Sequence, residues 1–128
     1  MKVISIREPF ATLIKDGIKT VETRSWKTNY RGKIYIHSCI AKNKIRDSVK
    51  HLIKSDLKYG YILCSADLVD CVYMDNEYIE KVKKENYDNY LCGIYEVGRY
   101  GWVLENIEIL SQPIKAKGQL GIWNYNKS

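Results

Sequence analysis

The spacing of apolar residues changes period along the chain, and each change marks an element. Lys2 to Ile6 alternates and reads as a strand. Pro9 suits the first turn of a helix. Phe10, Leu13, Ile14 and Gly17 follow at i, i+3, i+4 and i+7, the spacing of one buried helical face. Gly17 is a natural C-cap, so that helix is short. Val21 to Trp26 and Lys33 to Ser38 read as strands, separated by a loop holding Asn29 and Gly32. Ile45, Val49, Leu52 and Ile53 return to helical spacing, with Lys42, Lys44, Lys50 and Lys54 on the wet side. Tyr61 to Tyr73 (YILCSADLVDCVY) is β-rich and too long for a flat strand, so a bend is expected. Residues 75–85 make a weaker helix around Tyr78, Ile79 and Val82. Tyr100 to Leu110 and Gly121 to Tyr125 supply the closing strands.

That gives about six strands and two or three helices with no regular β-α-β alternation. The pattern argues against a doubly wound parallel sheet. It favours an α+β fold, a small, mostly antiparallel barrel with helices packed on its rim.

Composition changes this picture little. At 128 residues the chain has the length of one domain, 1–128, and 45% hydrophobic with 28% charged residues is ordinary globular usage. No apolar run approaches the roughly 20 residues that span a bilayer. Arg7 and Glu8 interrupt any signal-peptide core, so no membrane association and a cytoplasmic location are expected. Cys39, Cys64, Cys71 and Cys92 form no CxxC pair, and free thiols in a reducing compartment fit them better than a zinc site. Nothing marks a dimer surface, so a monomer is the default.

Charge is lopsided. Residues 1–64 hold 14 Lys/Arg against 5 Asp/Glu, whereas residues 65–128 hold 7 against 10. A basic half on a small protein suits an anionic partner such as nucleic acid, or simply a solvated lysine-rich surface.

The densest stretch is GIKTVETRSW, residues 17–26. On a strand beginning near Thr20, side chains alternate, so Thr20, Glu22, Arg24 and Trp26 share one face while Val21 and Thr23 take the other. Such a face makes a poor core and a good cleft wall, with directional hydrogen bonds from Arg and Glu and a flat stacking surface from Trp. Lys19 is expected at the mouth.

These residues carry a resemblance. The opening ISIREPFATLI, then Gly17, Lys19, Thr20, Glu22 and Arg24, the Ser25–Trp26 pair and YRGKIYIH at Tyr30–His37 resemble the ASCH (activating signal cointegrator homology) domain family. GYILCSADLVD at Gly60–Asp70, YGWVLENIEIL at Tyr100–Leu110 and KGQLGIW at Lys117–Trp123 continue it, with residues 42–58 and 75–98 less typical. The resemblance implies a PUA-like β-barrel that binds RNA or another nucleotide-derived ligand, with DNA ranked behind RNA, in a cleft between the barrel and its first helix. It also brings in amidohydrolase chemistry on N4-acetylcytidine and nuclease activity, found or proposed in other branches.

Candidate residues follow. Lys19 could hold a phosphate or, if the protein is an enzyme, act as a catalytic base; its plainer role is a lysine at a helix end. Glu22, the second catalytic candidate, and Arg24 could read a base edge or pair with each other. Trp26 and Trp102 are stacking candidates, although large aromatics in small barrels are more often core, as expected for Trp123. Arg7, Lys27, Arg31 and Lys33 could meet phosphates. His37 lies in an apolar strand and reads as structural, His51 as exposed; no metal site and no cofactor are expected. Binding ranks first. The amidohydrolase reading comes second, because Glu22 stands where that branch has a threonine and the acidic partner is only guessed among Asp75, Glu77 and Glu105. A protein-interaction adaptor is third.

Overall fold

The computed structural model describes residues 1–126. Six strands and four helices follow in the order β1 (Lys2–Ile6), α1 (Phe10–Lys15), β2 (Val21–Arg24), β3 (Gly32–Ser38), α2 (Asp47–Lys50), β4 (Tyr61–Tyr73), α3 (Asn76–Glu85), α4 (Tyr87–Leu91), β5 (Tyr100–Lys115) and β6 (Ile122–Asn124). The strands form one curled, half-barrel sheet in the order β2-β5-β4-β3-β1-β6. Among the described residues only β1 and β3 pair in parallel; the other ladders are antiparallel. The fold is the α+β, mostly antiparallel barrel type read from the pattern, with four short helices where two or three were expected.

The sheet curls because its long strands are repeatedly interrupted. The β4–β5 register shifts between Ile62 and Cys64, between Ser65 and Asp67, and between Leu68 and Asp70. Each shift inserts unpaired residues, which bend the strand and increase its twist. Asn106 sits in one such bulge at φ 53°, a conformation asparagine tolerates, and its amide donates to Asp67 at 2.9 Å. Pro113 falls in another, between the Cys64↔Ile109 and Ile62↔Ile114 pairs, where no ladder N–H is needed. For that reason β5 runs on to Lys115, past the Leu110 limit expected from the sequence.

Helix α1 is buried on several sides, not on one stripe. Ala11 and Ile14 pack on the sheet core with Ile4, Ile34, Ile36, Leu68 and Trp102, while Leu13 packs outward on Val49, Leu52 and Cys92. Its start is closed by Glu8, which is buried. The Glu8 carboxylate accepts from Thr12 N at 2.7 Å, from the Thr12 hydroxyl and from Lys58 N at 3.1 Å. Gly17, at φ 78°, takes the left-handed position just past the helix end. The helix expected around Val49 shrinks to four residues, yet Val49 and Leu52 are still buried as their spacing required.

Candidate nucleic-acid interface

Residues entering β2 are fixed from behind by a segment that the apolar pattern left blank. Asn89 of α4 is buried; its Oδ1 accepts from Thr20 N (2.9 Å) and Val21 N (3.3 Å), and its amide donates to Thr20 Oγ1 at 2.7 Å. Further along, Thr23 Oγ1 accepts from Ile94 N at 3.0 Å. Gly93 packs so closely that an added Cβ would meet Thr23 Cγ2 at 2.7 Å. The turn after α4 therefore braces the strand that carries the motif.

Lys19 lies inside this brace, not at a cleft mouth. It is 1% exposed, and its ammonium donates to Cys92 O at 2.5 Å, sits 3.3 Å from Glu22 Oε1 and 5.4 Å from the centroid of Phe10. Glu22 Oε2 accepts from Arg24 Nε at 2.9 Å, and Arg24 Nη2 also donates to Ser5 O at 3.0 Å. Lys19, Glu22 and Arg24 thus form a linked clamp in which one carboxylate satisfies two cations. Glu22 pairs across the ladder with Trp102, which is buried beneath Trp26 with rings 4.7 Å apart and edge to face.

In front of the clamp the surface opens into a cleft of about 1080 Å³. Its walls come from β1 and β2, from residues 39–41 with Arg46, from residues 92–94 with Arg99, and from the 117–121 loop. Among the described residues, Arg7, Arg24, Arg46, Arg99 and Lys117 line it, against the single carboxylate of Glu22. Among the described residues no Asp or Glu oxygen lies within 4.0 Å of the charged nitrogens of Arg7, Arg46, Arg99 or Lys117. Four exposed apolar side chains, Trp26, Ile40, Ile94 and Leu120, stand around the opening. Cys39 also lines it, and burial raises its thiol pKa even though Arg24 and Arg7 pull the other way, so the neutral thiol prevails near neutral pH.

Of the residues singled out by sequence, Arg7, Glu22, Arg24 and Trp26 meet in the cleft. Thr20 does not; its side chain is taken by Asn89. Trp102 is core, donating from its indole to Trp26 O at 3.3 Å. Arg31 lies outside, bonded to Thr28 O and Tyr30 O, and Lys27 and Lys33 also fall beyond the lining. Asp75, Glu77 and Glu105 are exposed and outside the lining, with Asp75 capping α3 through Tyr78 N at 2.8 Å. His37 is fully buried and His51 exposed. His37 Nε2 donates to Ala116 O at 2.7 Å, which leaves Nδ1 to accept from the Ser5 hydroxyl at 2.9 Å. Trp123, core as expected, donates to the same Ser5 oxygen at 3.0 Å. Among the described residues no three His, Cys, Asp or Glu side chains converge on a metal position.

A family model for the ASCH domain matches residues 4–114. The chain belongs to the ASCH domain family. Human activating signal cointegrator 1 is 31% identical over 81 residues, and the mouse protein of that name 32% over 82. Each alignment takes in 54% of this chain and 14% of the larger protein, so the chain spans only a small part of those relatives. Among solved structures, the ASCH protein from Zymomonas mobilis superposes with a TM-score of 0.62 at 16% identity, covering 98% of this chain and 87% of that one. A point variant of it gives 0.60 at 18%, covering 98% and 88%. Likeness at that identity concerns the fold alone.

Arg46, Arg99 and Lys117 were not singled out by the sequence reading. Lys117 lies in the KGQLGIW motif, where a signal existed. Arg46 is lost among the lysines of a stretch that looks like solvated surface, and Arg99 stands in an irregular segment with no periodicity.

Proposed function

We propose that this ASCH domain binds RNA, taking an unpaired nucleotide into the cleft with its base against Trp26 and its phosphates on the surrounding guanidinium groups. The observation that carries the reading is the imbalance of the cleft: five cationic side chains face one carboxylate, and that carboxylate is already held by Lys19 and Arg24. Uncompensated arginines beside an accessible indole fit a ligand that is anionic and flat. Family membership favours RNA over DNA as the polymer. The four cysteines are free, which suits a cytoplasmic protein, and a monomer is the simplest form consistent with a single cleft.

Binding is favoured over hydrolysis by the position of Lys19. Its ammonium is enclosed away from the cleft lining and engaged by Cys92 O and Glu22, so it is poorly placed to take a proton from a bound nucleophile.

Fluorescence anisotropy with labelled single-stranded RNA tests this, titrating at about 50 and 200 mM salt. With roughly three phosphate contacts, affinity should fall about 20-fold across that range. Arg7→Ala should weaken binding at both salts, and an unlabelled DNA of the same sequence should compete less well. No binding at the lower salt would remove RNA as the ligand.

A further inference from the structure

The cleft does not end at Arg7 and Arg46. A second, narrow groove of about 150 Å³ begins on their far side, lined by Arg7, Phe10, Asn43, Lys44, Ile45 and Arg46 together with Glu8 and Pro9. Arg7, Phe10 and Arg46 line both spaces, so groove and cleft share a wall. We infer that this groove carries the sugar-phosphate backbone of the RNA strand as it leaves the cleft, with Lys44, Arg46 and Arg7 as the phosphate contacts. The inference rests on the RNA-binding reading of the cleft and adds a direction and a length to it.

Three observations support a backbone track. Carboxylates near it are committed elsewhere: Glu8 is turned inward to Thr12 and Lys58 N, and Asp47 pairs with Lys50 at 2.8 Å. Neither Lys44 nor Arg46 has an acidic partner within 4.0 Å among the described residues. Arg46 is also held in place before any ligand arrives. Its Nη2 donates to Leu91 O at 2.9 Å and its guanidinium lies 5.4 Å from the Phe10 centroid, so little rotamer freedom remains to be lost on binding. Size points the same way: the groove has about one seventh of the cleft's volume, matching a backbone unit and not a base pair. Asn43 adds a neutral polar group, and Ile45 an apolar surface suited to a ribose face. The strand is therefore single where it crosses this segment.

Lys44 and Arg46 belong to residues 42–58, which read as less typical of the ASCH pattern, whereas Arg7 lies in the ISIREPFATLI stretch that carries the resemblance.

Length-dependent binding separates the track from the cleft. A labelled uridine trimer and a labelled uridine decamer are titrated against wild type, Lys44→Ala, Lys44→Glu, Arg46→Ala, Trp26→Ala and the remote surface control Lys84→Ala, each at two salt concentrations. Lys44 is exposed and unpaired, so its variants should fold normally. For the decamer, Lys44→Ala is expected to weaken binding about 2–3-fold and to reduce the salt slope by about 0.7, the value of one phosphate contact on a single strand. Lys44→Glu should do more, and the trimer should respond to neither. Decamer binding that is weakened by Trp26→Ala but indifferent to Lys44 and Arg46 would overturn the track and leave the cleft reading standing. Equal losses in Lys44→Ala and Lys84→Ala would also overturn it, because net charge alone would then explain the effect. Failure of wild type to bind either RNA would overturn both readings.

Discussion

The two sides of the cleft are built on opposite electrostatic plans. The β2 side is closed: Lys19, Glu22 and Arg24 satisfy one another, Asn89 holds the backbone at Thr20 and Val21, and little of this is exposed. The rim is open: Arg7, Arg46 and Lys117 are exposed and unpaired among the described residues, and Trp26, Ile40, Ile94 and Leu120 offer apolar surface to solvent. Burying charges without partners is costly, so a buried cluster must be compensated internally. Charges meant for a ligand must be left uncompensated, which is tolerable only in water. On the proposed reading, Lys19, Glu22 and Arg24 are the frame that fixes the site, while the exposed rim residues are the ones left to meet the ligand.

If that division is right, the two sides should fail differently when altered. The largest effect belongs to Lys19→Met, which keeps the buried stem but leaves Cys92 O without its donor and the Glu22 carboxylate with Arg24 as its remaining cation. Breaking a buried pair so that a charge is left alone costs about 3–5 kcal/mol; with Arg24 still on Glu22 the loss should approach but not exceed that range, and urea unfolding should show it. A Lys19→Met protein that is as stable as wild type but cannot bind RNA would instead make Lys19 a reader and erase the distinction. Asn89→Ala follows on the same side. It strands the amides of Thr20 and Val21, and each buried donor left unpaired costs about 1–3 kcal/mol. Its loss should likewise appear in the melt before it appears in binding at saturating protein.

The same contrast explains what could be read from the sequence. Apolar periodicity located β1 and β4 at their observed limits, and it placed Val49, Leu52 and Trp123 in the core, because burial of apolar surface dictates those positions. Glu22, Arg24 and Trp26, which strand alternation put on one face, line the cleft, but so do Thr23 and Ser25, so alternation did not separate the wall from its back. It failed at Thr20, which lies before the strand begins and is drawn aside by Asn89, a contact 69 residues away. Trp102, kept as a stacking candidate although core was the favoured reading, is core: the cross-strand pairing with Glu22 that puts it under Trp26 is set by the β2–β5 register, not by local pattern. Helix α4 escaped notice because YDNYL has no apolar face, its one buried residue being polar Asn89. Lys19 looked like a reader since its environment is built from Phe10, Glu22 and Cys92, of which only Glu22 is near in sequence.

On the open side, Trp26→Ala should reverse the pattern seen for Lys19. Trp26 is 40% exposed and packs edge to face with Trp102, a geometry that contributes about 0.5–1.5 kcal/mol. Stability should therefore change little. Base stacking is worth about 1–3 kcal/mol, so the dissociation constant for single-stranded RNA should rise about 5–150-fold. Unchanged affinity would move the base to another part of the rim, with Ile94 and Leu120 the remaining apolar surfaces.

The smallest effect concerns the loop that carries Lys117. This loop rests on His37, whose ring bridges Ser5 of β1 and Ala116 O, and Gly118 packs so close that an added Cβ would lie 2.7 Å from Ser5 Oγ. Burial lowers the His37 pKa, opposed only in part by the bond to Ala116. A histidine whose folded pKa lies below its unfolded value binds protons more readily when unfolded. Its stabilising contribution is complete above the unfolded pKa, about 6.5, and is lost as pH falls through the lower folded value. Protonation also removes the lone pair on Nδ1 that accepts from Ser5. Melting temperature should accordingly decline from about pH 7 downward in wild type, and the decline should be shallower in His37→Gln, which cannot titrate. Equal slopes in the two proteins would mean that carboxylates elsewhere govern the acid response, and that the Lys117 loop is held by packing against Ser5 and Gly118 without help from the charge state of His37.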